Sequence, residues 1–513
     1  MRNKLLLAMA IVPLMFFVPQ QVSGQGFKDL VNKAKKVVED VNTDTSQEQN
    51  KTQQSTTTGT SSTTVQSSSS KTTQSSSSTS VQSGVSSSAQ PTGTATLYVS
   101  ASNGSNRNDG SKGAPFKNLQ KAIDQAPDGA VILVAEGNYF GMLNKGNINV
   151  TKPVKIYGGY SPDFSTRDVL KHLTMVQPTP ESNGTQNGQG TMQIQVKTPN
   201  TEVVIDGLIF DRGNSIAYNA RGEGKPEGVA SAMMQPIGAA GLGGPDLTQE
   251  RVLTTETAEI YFDNPRCNIT INNCAFINAP NYGVRGMFGG TKAIINNCIF
   301  INNRMAACEI TKGGMVSEKA EVHFTYNTVL FMWARLKDMG DMGYGFRYGL
   351  RLSNYVTNNI IGLSTFAGLD RTRVDMPKNE AEYVNTAEHN IFFLNKQADL
   401  VIPGGGMFMR ISAEEFEDVE QLAEVAGNKK LNDPKVFKGI INEPYLNGFL
   451  SASYKETTSH DPNSQANQFR QAMGMNMTGT MHSSATMFAN RYPWQEALKF
   501  FGAMEGYGAQ KIK

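Results

Sequence analysis

Arg347 and Arg351 stand four residues apart in the stretch Phe346-Arg347-Tyr348-Gly349-Leu350-Arg351. Alternate side chains of an extended strand share a face, so this spacing would put both guanidinium forks on one side. Such forks grip carboxylates through paired hydrogen bonds. Four aspartates follow or precede them closely. Asp338, Asp341, Asp370 and Asp375 offer the hard oxygen donors that calcium takes. Arg285, Lys312 and Arg371 are candidate bases, provided that desolvation or neighbouring cations lower their pKa values. Together these groups suit an anionic substrate, whose charge a cation neutralises while a base removes a proton. They equally suit a solvated strand face, and both readings stay open at this level. His323 and His389 fall beside inward-facing positions and read as scaffold residues rather than catalytic ones.

The elements that must position these groups announce themselves by repetition. Ile271-Asn-Asn-Cys-Ala-Phe-Ile-Asn278 recurs almost unchanged 24 residues later as Ile295-Asn-Asn-Cys-Ile-Phe-Ile-Asn302. Aligned on Cys274 and Cys298, the slot recurs at Leu208, Thr328, Ile360 and Ile391. The residue before it is Gly207, Asn273, Asn297, Asn327, Asn359 and Asn390. Two positions after it stand Phe210, Phe276, Phe300, Leu330, Gly362 and Phe393. Repeats of about 24 to 32 residues with short apolar runs indicate a solenoid. In a parallel β-solenoid each coil stacks on the last at about 4.8 Å, so equivalent residues form ladders. Asparagine suits the turn because it tolerates the left-handed region, and its amide can bond to the asparagines above and below. The phenylalanines are expected to stack inside. A leucine-rich repeat would also carry an asparagine ladder, but its leucine frame is absent.

Composition sets the surroundings. Arg2 and Lys4 precede an apolar run from Leu5 to Val18, followed by Val22-Ser23-Gly24, which predicts a signal peptide over residues 1–24. Without Arg2 and Lys4 the 47 basic residues fall to 45, matching the 45 acidic ones. A neutral chain disfavours nucleic acid as a partner. No later segment is apolar enough to cross a bilayer, so a secreted or cell-surface monomer is expected. Phe27, Leu30, Val31, Ala34, Val37, Val38 and Val41 predict an amphipathic helix over 25–43. Residues 44–94, almost all Ser, Thr, Gln and Gly, predict a disordered linker. The solenoid should fill 95–440. Residues 441–513, rich in Met and aromatics, should form a helical cap on its open end or a docking tail. Cys267, Cys274, Cys298 and Cys308 lie in apolar runs without zinc spacing and read as buried free thiols.

The segment from Leu97 to Tyr139 carries a family resemblance. A strand leads into an Asn108-Asp109-Gly110-Ser111 turn, then a Pro115-Phe116-x-x-Leu119-Gln120-x-Ala122-Ile123 helix, then a strand ending in Gly137-Asn138-Tyr139. Asn432-Asp433-Pro434-Lys435-Val436-Phe437 is similar to the exit found after a last coil. The chain resembles right-handed parallel β-helix proteins of the pectate-lyase-like superfamily, over about residues 95–437. The resemblance implies an all-β, right-handed parallel β-helix with an N-terminal capping helix. It implies polysaccharide binding on the face of the first strand of each coil. There, Tyr261, Arg285, Glu309, Arg347, Arg351 and Asp370 are expected to line a groove beneath two insertions, Gly213–Glu256 and Phe331–Gly345. Members that cleave uronic-acid polymers by β-elimination use calcium or Arg to neutralise the carboxylate and Lys or Arg as base. The paired Asp with G-H-G and R-I-K, the W-x-D-H and the R-x-P-x-x-R patterns of the superfamily's main enzymes are missing. A binding protein without catalysis is therefore the first expectation, and a polysaccharide lyase or glycoside hydrolase the second.

Overall fold

The computed structural model describes residues 91–512, apart from 142–146, 178–189, 213–217, 221–233, 237–248, 253–257, 280, 315–318, 334–342, 348–350, 372–382, 405–406, 419–424, 454–462 and 476–490. The expected signal peptide, amphipathic helix and linker up to Gln90 lie outside the described residues, as do Asp338, Asp341 and Asp375. Parts of both insertions do too.

Three sheets of ten, nine and nine strands form the walls of a β-helix, parallel throughout except that Met407–Ile411 pairs antiparallel with Ala398–Gly404. The first wall includes Met192–Ile194, Ala258–Asp263, Tyr282–Phe288, Ala306–Lys312, Tyr344–Arg347, Ala367–Asp370 and Ala398–Gly404. The second includes Glu202–Asp206, Asn268–Asn272, Lys292–Asn296, Glu321–Thr325 and Ser353–Thr357. The third includes Ile209–Asp211, Ala275–Ile277, Ile299–Ile301, Thr328–Leu330, Ile360–Gly362 and Ile391–Phe393. Each strand pairs with its counterpart one coil away. Parallel crossovers of this kind wind right-handed. The insertion after Arg212 contains a small antiparallel sheet of Tyr218–Ala220, Gln249–Val252 and Met234–Pro236.

The duplicated octamer is the turn from second wall to third. Gly207, Asn273 and Asn297 there have φ of 73°, 52° and 52°. In later coils the left-handed residue is Tyr326, Asn358 or His389, one position earlier than the alignment on asparagine places it. Asn327, Asn359 and Asn390 are instead fully buried. Their backbone amides and side chains link upward: Asn327 N–H donates to Asn359 Oδ1 at 2.8 Å, Asn359 to Asn390 at 3.0 Å, and Asn390 to Asn428 at 3.0 Å. Each Nδ2 donates to a second-wall carbonyl, such as Asn359 to Phe324 at 2.8 Å. Cys274 and Cys298 occupy the same inward slot, their thiols 3.7 and 3.8 Å from the carbonyls of Ile205 and Ile271.

This one-residue slip corrects the aromatic series. Phe210, Phe276 and Phe300 stack inside, with centroids 5.1 and 4.7 Å apart. Their partners in the later coils are Val329, Ile361 and Phe392. Leu330 and Phe393, one residue on, face outward because side chains alternate.

Both ends are closed. The helix α1, Leu119–Gln125, buries Leu119, Ala122 and Ile123 in the interior cluster. At the other end a 3₁₀ turn, Ala413–Asp418, sets Phe416 against Phe392 at 5.4 Å. The C-terminal segment does not sit on that end as expected. Its helices α2 (Glu443–Ser453), α3 (Gln465–Met473) and α4 (Trp494–Ala497) belong to a segment that packs along the outer face of the third wall. Tyr445, Phe449 and Tyr492 surround Phe331 there, and Phe437 and Phe469 stack on Phe393. Polar contacts fix the placement. Tyr492 exchanges backbone bonds with the Asn278 amide, Tyr445 Oη donates to Asn302, and Arg491 pairs with Asp211. The outward apolar set Ile277, Ile301, Leu330 and Ile391 explains the preference. Each such side chain buried contributes about 1.5–3 kcal/mol. No helix among the described residues is long and apolar enough to cross a membrane.

Candidate functional site on the first wall

A single row crosses the outer face of the first wall. Gln193 aligns with Tyr261, then Arg285, Glu309, Arg347, Asp370 and Val401 in successive coils. The structure thus brings together five of the six residues expected to contact substrate. Arg351 is the exception. The strand ends at Arg347, and Arg351 lies beyond it, exposed, with φ of 63°. The two arginines do not share a strand face. Phe346 occupies the inward position expected for Leu350, pairing with Cys308 and Leu369.

The row is not an open floor throughout. Arg347 is 2% exposed and Asp370 is fully buried. Arg347 Nε donates to Asp370 at 2.6 Å and Nη1 to Glu309 at 3.0 Å. Its guanidinium lies over the Tyr344 ring at 4.0 Å, and Tyr344 Oη donates to Glu309 at 2.8 Å. Burial disfavours the Arg347 charge, but Tyr344, Asp370 and Glu309 outweigh it and hold its pKa above the usual arginine value. The Arg347 guanidinium is therefore engaged within the wall by Asp370, Glu309 and Tyr344.

Arg285 differs. Its Nε donates to Glu309 at 3.1 Å, and its guanidinium lies 4.5 Å from the centre of the Tyr282 ring. Yet its side chain is 35% exposed. Burial acts against its charge, while Tyr282 and Glu309 more than compensate, so its pKa is raised. That direction opposes a role as base, which requires a lowered pKa. A guanidinium held at Nε and across one face keeps its remaining donors in a fixed direction, which suits anion recognition. Around it are half-buried Tyr261, exposed Met287 and half-buried Asp263, which accepts from Gln193 at 3.1 Å. Lys312 ends the neighbouring strand, 6.0 Å from the Tyr383 ring. Arg371 follows Asp370 and is nearly buried, its backbone amide bonded to Val401. Of the calcium candidates only Asp370 is described, and its Oδ2 is engaged by Arg347.

Tyr282 and Tyr344 were not singled out from the sequence. Burial raises the pKa of both; Tyr344 donates to Glu309, and the two rings are platforms for Arg285 and Arg347. A signal for them exists: Tyr282-Gly-Val-Arg285 and Tyr344-Gly-Phe-Arg347 share the pattern Tyr-Gly-x-Arg. Tyr348-Gly-Leu-Arg351 repeats it once more. Only the strand register decides which copies are used. The glycine is required by close approach: a Cβ on Gly283 would meet Phe300 at 2.6 Å, and one on Gly345 the Gly368 carbonyl at 2.5 Å.

Both histidines lie off this row. His323 stacks on Tyr355 at 4.5 Å and bonds Glu321 at 3.0 Å on the second wall. His389 takes a left-handed turn position.

Residues 102–210 match a family described as "Protein of unknown function (DUF1565)". Comparison with curated proteins gave no match. Among solved structures, the chain is similar to a GH136 lacto-N-biosidase from Eubacterium ramulus at 11% identity and a TM-score of 0.31. The alignment covers 66% of this chain and 56% of that one, so the chain spans little more than half the enzyme's length. The three stacked sheets bear out the β-helix fold that the opening segment's resemblance implies. The chain is an all-β parallel β-helix.

Proposed function

We propose that this protein is a secreted or cell-surface β-helix that binds polysaccharide on its first wall, with Arg285 as the ionic anchor. The observation that carries the reading is the contrast within one row. Arg347 is consumed by Glu309 and Asp370, whereas Arg285 is braced by Glu309 and Tyr282 and still presents its outer edge. Tyr261 and Met287 add apolar contact beside it. Catalysis is not part of the proposal: the pKa of Arg285 is raised, whereas a base needs it lowered.

The test is titration of the chain against uronic-acid and neutral glycans, with and without calcium. Acidic glycan should bind, and Arg285→Met should weaken it about tenfold or more, since a hydrogen bond to a charged group contributes about 1.5–3 kcal/mol. Equal binding by Arg285→Met would overturn the assignment of the site. Ultraviolet absorbance from an unsaturated product would instead establish a lyase, and new reducing ends without it a hydrolase.

A further inference from the structure

The four cysteines are free thiols in the structure, but they are not equivalent. Cys308 sits on the first wall and stacks between Val284 and Phe346. Cys267 precedes the second-wall strand. Cys274 and Cys298 alone stand at the same position of adjacent coils. The residues on either side of them are paired in register, Asn272 with Asn296 and Ala275 with Ile299. One strand spacing therefore separates their Cα atoms, about 4.8 Å. That lies within the range of about 4.4–6.8 Å that a disulfide spans. Both side chains point inward and are fully buried, and their thiols make matching contacts, Cys274 to the Ile205 and Asn272 carbonyls and Cys298 to the Ile271 and Asn296 carbonyls.

We infer that Cys274 and Cys298 become joined by a disulfide when the chain folds in the presence of a disulfide donor. The bond would staple two successive coils. Arg285 lies between the two cysteines in sequence, and its partner Glu309 follows the second, so the staple holds the strands of this ion pair in register. The exchange balances simply. The Cys274 thiolate attacks the donor disulfide and releases one thiol. The Cys298 thiolate then attacks the mixed disulfide and releases the second, and the donor is reduced by two electrons. The reaction belongs to folding. In the finished solenoid the pair is sealed from solvent, and burial pushes the Cys298 thiol well above its usual pKa.

The test needs no variant. The full chain is synthesised in a cell-free system, once with a glutathione–glutathione disulfide couple and once with dithiothreitol. The soluble product is alkylated, weighed intact and digested without reduction. The oxidised sample should take up two alkyl groups rather than four and yield a Cys274–Cys298 linked peptide. The reduced sample should take up four once unfolded. Four alkylated cysteines in both samples would overturn the inference. So would a stable glutathione adduct, or a link through Cys267 or Cys308.

Discussion

Replacing Arg347 separates a wall-building role from a ligand-gripping one. Its side chain is 2% exposed, and its partners Glu309 and Asp370 are 6% and 0% exposed. Arg347→Ala removes the donors from Asp370 at 2.6 Å and from Glu309 at 3.0 Å, together with the platform over Tyr344. Glu309 keeps Arg285 and Tyr344, so most of the loss falls on Asp370. Breaking one partner out of a buried ion pair costs about 3–5 kcal/mol, because the remaining charge is left in a low-dielectric setting. A factor of ten corresponds to about 1.4 kcal/mol. Amide exchange in Ala306–Lys312, Tyr344–Arg347 and Ala367–Asp370 should therefore speed up by roughly two to four powers of ten. Exchange is the right assay because coils of a solenoid need not unfold together. A second arm tests the cause. Arg347→Met with Asp370→Asn removes both charges and should recover much of the loss, as isosteric replacement of buried pairs often does. Acceleration below about tenfold in Arg347→Ala would refute the argument, since a solvated strand-face arginine contributes about 0–1 kcal/mol.

Two further outcomes follow from the scaffold. Asn359→Ala removes the acceptor for the Asn327 amide and the donor to the Phe324 carbonyl, both buried. It should destabilise the neighbouring coils by about 2–4 kcal/mol, seen as loss of exchange protection in Glu321–Thr325 and Ser353–Thr357. His323 has a lowered pKa, chiefly from burial. Its unfolded form therefore takes up a proton at higher pH than the folded one. Stability contributed by the neutral ring is complete above the usual histidine value of about 6.5 and is lost as pH falls below it. The urea midpoint should fall between about pH 6.5 and 5 in the parent, and less steeply in His323→Phe, which keeps the stack on Tyr355.

How far the sequence reaches is clearest at the asparagines. Their recurrence gave the parallel coils, because only stacked equivalent turns select one residue type repeatedly. It could not say which asparagine does what. Asn273 and Asn297 adopt the left-handed turn, whereas Asn327, Asn359 and Asn390 are the buried ladder one step further on. The residue type suits both jobs, so the slip was invisible and sent Leu330 and Phe393 to the wrong side. The same limit applied to Arg347 and Arg351. Both follow Tyr-Gly-x, and only the strand's end at Arg347 separates them.

The C-terminal segment shows the complementary case. Its apolar and aromatic content required burial, and that much was readable. Its destination was not, because two apolar surfaces were on offer: the end of the solenoid and the outer face of the third wall. The small 3₁₀ turn carrying Phe416 already closes the end. The third wall leaves Ile277, Ile301, Leu330 and Ile391 to be covered. Sequence alone determined the periodic quantities: coil length, wall order, inward residues of most strands and the row from Tyr261 to Asp370. Tertiary structure decided what depends on neighbours brought close across coils. Arg347 is spent on two carboxylates and Arg285 is not, since burial and pairing are properties of the assembled wall and not of a residue type.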